Sequence, residues 1–241
     1  MMIATKVSGH PAFPGLKADN ITAALEQSLK RLQTDYVDIY YAHVDDPETP
    51  LEETVAAFDA LVRRGVVRYV GLSNYTAERA QSWIDVARDA GAALPVTLQP
   101  HYNLLHRTDF EQHLRPVAER NDLGVVPYYG LASGFLTGKY LSASDAEGSQ
   151  RGPLLGSYLT KAGFAVAREV VAVAAEQNVA PATVALAWLR SQPIVVAPIA
   201  SVSAVSQLDA LLASATLELS PEQLERLNAA SDTFAATQTA A

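Results

Sequence analysis

The chain has 241 residues, no cysteine, and 18 Lys and Arg against 26 Asp and Glu, for a formal net charge of −8. This charge argues against binding to nucleic acid or to an anionic membrane surface. The lack of cysteine excludes disulfides, thiolate metal sites and a thiol nucleophile, and the expected compartment is the cytoplasm. The length fits one large α/β domain or two small ones.

Short apolar runs rich in Val, Ile and Tyr alternate with longer segments of helical period, which is the pattern of βα units around a parallel sheet. The predicted strands are Ile3–Val7, Tyr36–Ala42, Val67–Gly71, Val96–Pro100, Gly124–Tyr128 and Ile194–Pro198. The predicted helices are Asn20–Leu32, Leu51–Arg63, Ala77–Ala90, Asp109–Asn121, Ala162–Asn178, Pro181–Arg190, Ala204–Ala213 and Pro221–Ala230. About six βα units result, which leaves open a doubly wound sheet or a barrel with fewer than the usual eight units.

Two segments depart from this alternation. Residues 141–157 are rich in Ser, Gly, Asp and Ala and are predicted to form a long loop, either a lid or a disordered insertion. Residues 232–241 are predicted to be a frayed tail. No window reaches the roughly 18 consecutive apolar residues of a membrane span, so no membrane partner is expected.

The most specific string is Arg68–Tyr75, which reads RYVGLSNY at the end of a predicted strand. Ser73 and Asn74 then lie at the carboxyl end of that strand, where parallel α/β folds bind ligands. An Asn side chain both donates and accepts hydrogen bonds, which suits a carboxamide ligand. The alternative is that Ser-Asn only turns the chain before a helix cap at Thr76.

Further motifs surround this string in a fixed order. They are Ala4–Lys6, Asp35–His43 with Asp46-Pro47, Gly65–Arg68, Gln99–Asn103, Pro127-Tyr128 and Gly134–Tyr140. In order and spacing they resemble the aldo-keto reductase family over nearly the whole chain, to about Gln207. The resemblance implies a single (β/α)8 barrel domain over residues 1–241, and hydride transfer between NAD(P)H and a small-molecule aldehyde or ketone.

The resemblance also implies catalytic roles for Lys6 and His43. In the family a tyrosine protonates the carbonyl oxygen, a lysine paired with an aspartate lowers the pKa of that tyrosine, and a histidine orients the substrate. The family's aspartate and tyrosine match no residue of this sequence. We therefore expect an incomplete barrel without its first two βα units, and impaired reduction. The phenols available as substitute acids are Tyr40, Tyr41, Tyr128 and Tyr129.

Three groups of residues match the family's cofactor-binding positions. The nicotinamide carboxamide and ring positions match Ser73, Asn74, Gln99 and Tyr128. The loop along the pyrophosphate matches Leu131, Ser133 and Gly134, and the adenosine end matches Ser201, Ser203 and Gln207. The resemblance implies NADP as the cofactor. NAD is the alternative, because hydroxyl and amide groups stand where many relatives carry Lys or Arg.

Other interpretations stay open. A cofactor-binding relative without catalysis, in the manner of the channel β-subunits that share this fold, or an inactive fragment would carry the same motifs. Self-association is expected through exposed edges at Ile3–Val7 and Ile194–Pro198. No metal is predicted, because His101, His106 and His113 lack the i, i+4 spacing of a zinc pair on one helix.

Overall fold

The computed structural model describes residues 1–147 and 154–239 of the chain. Backbone contacts divide the chain into two compact units. Unit 1 consists of Met1–Pro100 and His113–Val125, and unit 2 consists of His101–Gln112 and Val126–Ala241. This division does not test the expected single domain, which stays a prediction.

Unit 1 is built on a parallel sheet. In chain order the strands are β1 (Ala4–Val7), β2 (Gly9–His10), β3 (Phe13–Pro14), β4 (Val37–Ala42), β5 (Val67–Ser73), β6 (Pro95–Gln99) and β7 (Gly124–Val125). β2 and β3 form an antiparallel hairpin, and the other five strands form one parallel sheet in the order β1-β4-β5-β6-β7. The predicted parallel α/β fold is confirmed, while closure into a (β/α)8 barrel and an incomplete set of units stay predictions.

The helices of unit 1 pack on one face of this sheet. They are α1 (Ala18–Leu32), α2 (Leu51–Arg63), α3 (Ala77–Asp89) and, after a π-helical segment (Phe110–Leu114), α4 (Arg115–Arg120). The Tyr40 hydroxyl donates to the Ile21 carbonyl of α1 (3.0 Å), and the Tyr40 ring lies 5.3 Å from that of Phe58 in α2. Because strand side chains alternate between faces, Tyr41 points to the opposite face of the sheet.

Unit 2 is mainly helical. Its helices are α5 (Lys161–Gln177), α6 (Pro181–Arg190), α7 (Leu208–Ala213) and α8 (Pro221–Thr239). α5 packs against α6 and α8, and the buried Trp188 indole of α6 donates to Asn228 Oδ1 of α8 (2.9 Å). Within the described ranges no single helix is long and apolar enough to span a membrane. Taken together, α5 and α6 are long and apolar enough for one broken membrane span by length and composition alone, with a bend of 98° at the break between them.

The predicted strand Ile194–Pro198 is wrong. Within the described part of unit 2 this segment contains one bridge residue, Val195, and no strand. Ile194 has φ +61°, a left-handed conformation that ends extended structure and is unusual for a β-branched residue. The prolines at 193 and 198 lack the N–H groups that a central strand donates. The strand predicted over Gly124–Tyr128 is likewise cut short at Val125, two residues before Pro127.

The tail predicted to fray from residue 232 is instead helical as far as Thr239. Phe234 is buried, and the Ser231 hydroxyl donates to the Leu104 carbonyl (2.6 Å). Asp232 pairs with Arg107 (2.8 Å). These contacts hold the end of α8 within unit 2, so helix continues past the predicted end at Ala230. Residues 240–241 lie outside the described residues.

The predicted loop 141–157 is only partly described, because residues 148–153 lie outside the described ranges. Before them, a short 3-10 helix covers Ala143–Ala146. Its capping box joins Ser142 and Asp145, each side chain bonding the backbone N–H of the other residue. After them, a 3-10 turn covers Gly156–Tyr158. The described parts of the loop therefore contain local helical turns.

Candidate active site

Parallel pairing places four residues of unit 1 in one row across the sheet. Lys6 of β1 pairs with Tyr41 of β4. Tyr41 in turn pairs with Gly71 of β5, and Gly71 pairs with Thr97 of β6. Residues paired in this way point to the same face of the sheet. Lys6 therefore lies beside Tyr41, with its Nζ atom 5.9 Å from the centre of the Tyr41 ring.

The Tyr41 ring fills the space over Gly71. A Cβ atom on Gly71 would lie 2.5 Å from Cδ1 of Tyr41 and 3.0 Å from Cγ2 of Thr97, so this position requires glycine. Tyr41 is 1% exposed. Burial raises the pKa of its phenol, and the neighbouring polar groups of Thr97 and Gln99 partly oppose that rise. Tyr41 is therefore a neutral phenol enclosed by the protein.

A second polar row lies two residues farther along the strands, at their carboxyl ends. His43 follows β4 directly, and Ser73 and Gln99 are the last residues of β5 and β6. A two-residue offset keeps these side chains on the face that carries Lys6. The structure therefore brings Lys6, His43, Ser73 and Gln99 to one end and one face of the sheet, and Asn74 directly follows Ser73.

Hydrogen bonds join the residues of this second row. The Ser73 hydroxyl donates to the Gln99 carbonyl (2.9 Å). Asn74 Nδ2 donates to the His43 carbonyl (2.8 Å) and to Ser73 Oγ (3.1 Å). The helix cap of α3 is Thr76, whose hydroxyl accepts from a backbone N–H of that helix. The side chains of Ser73 and Asn74 thus cross-link the strand ends and are not needed as caps.

Gln99 has an unused hydrogen-bonding atom. The residue is 3% exposed, and within the described residues its Oε1 atom has no hydrogen-bond partner. A buried unpaired acceptor costs about 1–3 kcal/mol, so it needs an explanation. An amide oxygen accepts hydrogen bonds, and a ligand carboxamide would supply the missing N–H donor. The environment of Gln99 therefore fits the nicotinamide carboxamide that the resemblance assigns to it.

The charge of Lys6 acts on His43. Although Lys6 is exposed as a residue, partial loss of solvent around its ammonium lowers the pKa of the amine. Burial, and then the charge of Lys6, lower the pKa of His43. The ion pairs found among the described residues include none with Lys6. The site thus contains a neutral imidazole beside an amine that has no carboxylate partner in the described chain.

Two aspartates for which the sequence predicted no role fix the loop after His43. Asp45 accepts two hydrogen bonds from the guanidinium of Arg79 on α3, both of 2.8 Å. Asp46 accepts from the backbone N–H of Leu16 (2.7 Å) and from the Thr49 hydroxyl (2.8 Å). The signal in the sequence was the Asp-Asp-Pro turn directly after the histidine, since Asp often bonds nearby backbone groups in turns.

The remaining predicted cofactor residues lie in unit 2. Tyr128 is partly buried, and its ring stacks on His101 at 5.4 Å and 22°. Ser133 and Gly134 both have positive φ within the 3-10 segment that follows Leu131. Ser201, Ser203 and Gln207 are exposed. Gln207 Oε1 accepts from the backbone N–H of Ser203 (3.0 Å), so these two residues close a small turn.

A histidine pair lies beside Tyr128 in unit 2. The rings of His101 and His106 stack at 3.8 Å and 9°. Asn103 Nδ2 donates to His101 Nε2 (3.2 Å), which keeps this nitrogen unprotonated. Burial, with a smaller contribution from His106, lowers the pKa of His101 to about 4. No group of three or more His, Cys, Asp or Glu that would hold a metal occurs in residues 1–147 and 154–239.

The His101 environment predicts acid sensitivity. The ordinary pKa of histidine is about 6.5. Because the folded value is about 4, the unfolded chain binds the proton more tightly, and the free energy of unfolding falls as the pH drops from about 6.5 towards 4. We expect His101 to contribute about 2 kcal/mol to the fall in the free energy of unfolding between pH 7 and pH 4.5. Measured by urea unfolding, the fall should therefore be smaller by this amount in His101→Gln.

The control for this prediction is Gln112→Ala, because Gln112 is exposed and its side chain does not titrate. That variant should lose as much stability on acidification as the unsubstituted chain does. An equal acid-induced loss in the unsubstituted chain and in His101→Gln would contradict the prediction, because some other group would then carry the proton linkage.

Fold and site together define an α/β protein with a lysine, a histidine and amide side chains at the carboxyl ends of parallel strands. Residues 1–232 match the sequence model of the Aldo/keto reductase family. The chain belongs to this family. The resemblance drawn from the motifs is confirmed on this point, while the match over residues 1–232 does not confirm a missing N-terminal segment.

Relatives with reductase names support an oxidoreductase. The chain is 34% identical to L-glyceraldehyde 3-phosphate reductase of Escherichia coli K12 over 220 residues, which cover 87% of this chain and 63% of that protein. It is 32% identical to the protein named tas of the same organism over 257 aligned positions, covering 95% and 74%. It is 33% identical to a probable voltage-gated potassium channel subunit beta of Oryza sativa subsp. japonica over 205 residues, covering 82% and 62%.

Proposed function

We propose that this chain acts in the NAD(P)H-dependent reduction of an aldehyde or a ketone. The observation that carries the proposal is the buried, unpartnered Gln99 Oε1 at the strand ends that also hold Lys6 and His43, in a chain of this family. A carboxamide-binding acceptor beside an amine and an imidazole suits a nicotinamide cofactor and a carbonyl substrate. The E. coli relative named for L-glyceraldehyde 3-phosphate supports a small carbonyl substrate.

In unit 1, Ser73, Asn74 and Gln99 bind the carboxamide, and His43 orients the carbonyl oxygen through its neutral imidazole. In unit 2, Tyr128 offers an aromatic face for the nicotinamide ring. The residues proposed for the pyrophosphate and adenosine ends are Leu131, Ser133, Gly134, Ser201, Ser203 and Gln207. When bound, the cofactor supplies the hydride.

We further propose that NADP is preferred over NAD and that turnover by this chain is low. The first point follows the family pattern alone. Hydroxyl and amide side chains hydrogen-bond either a phosphate or a ribose, so NAD is the alternative. The second follows from the absence of any residue that matches the family's aspartate and tyrosine, so that Lys6 has neither its carboxylate partner nor a phenol to activate.

Calorimetric titration with NADPH and with NADH tests the proposal. We expect saturable binding of one equivalent, with NADPH bound more tightly than NADH. Weaker binding of NADPH than of NADH would overturn the cofactor preference alone. A chain that is folded by circular dichroism and binds neither nucleotide would overturn the proposed reductase itself.

A second candidate function is cofactor binding without catalysis. It is favoured by two relatives named as potassium channel β subunits, from Oryza sativa and Schizosaccharomyces pombe, each 33% identical to this chain. The two functions differ in their dependence on His43. Slow aldehyde-dependent oxidation of NADPH by a reductase falls in His43→Gln, whereas background oxidation by a non-catalytic protein does not change.

Self-association stays part of the proposal. In unit 1, β1 within the predicted edge Ile3–Val7 is at one end of the strand order, and in unit 2 Val196 of the predicted edge Ile194–Pro198 is exposed. Exposed strand edges and apolar side chains favour association between chains. Sedimentation velocity tests it, and a monomer at all concentrations would contradict it.

A further inference from the structure

A groove lies between helices α2 and α3 of unit 1. Its volume is about 420 Å³, which is in the range of small-molecule binding sites. Its apolar lining includes Val55 and Ala56 of α2 and Val86 and Ala90 of α3. Because these helices cover the face of the sheet opposite to the one that carries Lys6, the groove is separate from the candidate active site.

Three carboxylates also line the groove, and two of them have no ion-pair partner. Asp59 pairs with Arg63 and accepts from the backbone N–H of Ala93 (3.0 Å), so its charge is used within the fold. Glu52 and Asp89 are exposed, and the ion pairs found among the described residues include neither of them. The groove therefore presents two uncompensated negative charges beside an apolar surface.

The basic residues of α2 and α3 do not neutralise these charges. Neither helix contains a lysine, and their arginines all pair with other carboxylates. These pairs are Arg63 with Asp59, Arg79 with Asp45, and Arg88 with Asp85. Asp89 is in addition the last residue of α3, where the helix dipole disfavours a negative charge. A cation bound in the groove would relieve this unfavourable arrangement.

We propose that this groove is a second binding site, which takes a small organic cation consisting of a protonated amine on an apolar body. The apolar body packs between α2 and α3, and the ammonium group lies at the carboxylates of Glu52 and Asp89. The charge of these carboxylates repels anions, and an uncharged ligand would leave them uncompensated.

The lining of the groove favours an organic cation over a metal ion. In residues 1–147 and 154–239 these carboxylates do not form a group that would hold a metal. The rest of the lining consists of Val and Ala side chains, which offer no metal ligands but bury apolar surface. The ligand that complements both parts of the groove therefore carries one positive charge and a hydrocarbon portion.

The test is titration of the full chain with phenethylammonium chloride at pH 7, without any nicotinamide nucleotide, followed by the NMR shifts of assigned backbone amides. The neutral 2-phenylethanol and the anionic 3-phenylpropanoate are probes of similar shape. We expect saturable shifts at Ala56 and Ala90, with a Kd for phenethylammonium at least about fivefold lower than for 2-phenylethanol, since two carboxylates contribute. The anionic probe should not saturate these shifts, and added NaCl should weaken binding of the cation because salt screens exposed charges.

Variants at exposed positions identify the groups that bind the cation. Glu52→Gln and Asp89→Asn should each raise the Kd about two- to fivefold, the effect of one exposed ion pair. Ala90→Leu should abolish binding by filling the groove. The matched control is Glu26→Gln, which removes the same charge from an exposed position of α1 outside the groove and should leave the Kd unchanged.

Two results would overturn the proposal. One is an equal Kd for phenethylammonium and 2-phenylethanol in the unsubstituted chain, a comparison that needs no variant to fold. The other is an equal rise in Kd in Glu26→Gln and Glu52→Gln, because net charge alone would then explain the binding. Since no nucleotide is present and no residue of the candidate active site is changed, failure here is distinct from failure of the proposed reductase.

Discussion

The 241-residue chain is expected to reduce a reactive aldehyde with NADPH at least about a hundredfold more slowly than an aldo-keto reductase with the full catalytic set of the family. General acid catalysis typically contributes 10² to 10⁴ in rate, and we propose that this chain lacks the tyrosine that the resemblance gives as the acid. The measurement is aldehyde-dependent loss of NADPH absorbance at saturating cofactor.

The two candidate phenols of unit 1 are poorly suited to replace that tyrosine. Tyr40 lies on the helix-covered face of the sheet, and its hydroxyl is committed to the Ile21 carbonyl. Tyr41 does lie on the face of Lys6, but it is 1% exposed and its burial raises the pKa of the phenol. A phenol whose burial makes it hold its proton more tightly is a poor acid for a developing alkoxide.

These neighbouring tyrosines supply a matched pair of variants. Were the chain to turn over at the rate of a complete enzyme, the expectation would be wrong, and Tyr41→Phe would then be compared with Tyr40→Phe. Loss of activity only in Tyr41→Phe would identify Tyr41 as the acid. If neither variant changed the rate, the tyrosines of unit 2, Tyr128 and Tyr129, would be substituted next.

The parallel α/β fold was predictable because its central strands are short, mainly apolar segments rich in Val, Ile and Tyr. The segments Val37–Ala42 and Val67–Ser73 are bounded by turn residues and flanked by amphipathic helices, so period and punctuation agree. The hairpin β2–β3 was not predictable, since strands of two residues show no periodicity. The strand expected at Ile194–Pro198 failed because an apolar run between two prolines has the composition of a strand without its hydrogen-bond donors.

The candidate site was predictable in its residues and only partly in its interactions. Parallel register places His43, Ser73 and Gln99 together, as expected for residues at strand ends. The unpartnered oxygen of Gln99 and the stacked pair His101 and His106 depend on contacts between distant segments or on ring orientation. Spacing along the sequence does not determine either of them. The roles given to the cofactor residues of unit 2 stay predictions.

The second large effect is expected from Gln99→Leu, which should weaken NADPH binding without destabilising the free chain. Removal of the buried amide oxygen eliminates an unpaired acceptor that costs about 1–3 kcal/mol in the free protein. The free energy of unfolding without cofactor should therefore be unchanged or higher. The bound carboxamide would lose its acceptor and be left unpaired, so the Kd for NADPH should rise about 10- to 100-fold.

Gln27→Leu is the matched control, because Gln27 is exposed and its side chain bonds only His10 in the hydrogen bonds found for it (3.0 Å). It should change the Kd for NADPH by less than about twofold, since exposed substitutions away from a site have small effects. Urea unfolding and calorimetric titration of the same samples separate stability from affinity. A Gln99→Leu chain that binds NADPH as tightly as the unsubstituted chain would show that Gln99 does not contact the carboxamide. If Gln99→Leu lowered both the affinity for NADPH and the free energy of unfolding, Gln99 Oε1 would have a hydrogen-bond partner within the protein. The substitution would then weaken binding by destabilising the fold.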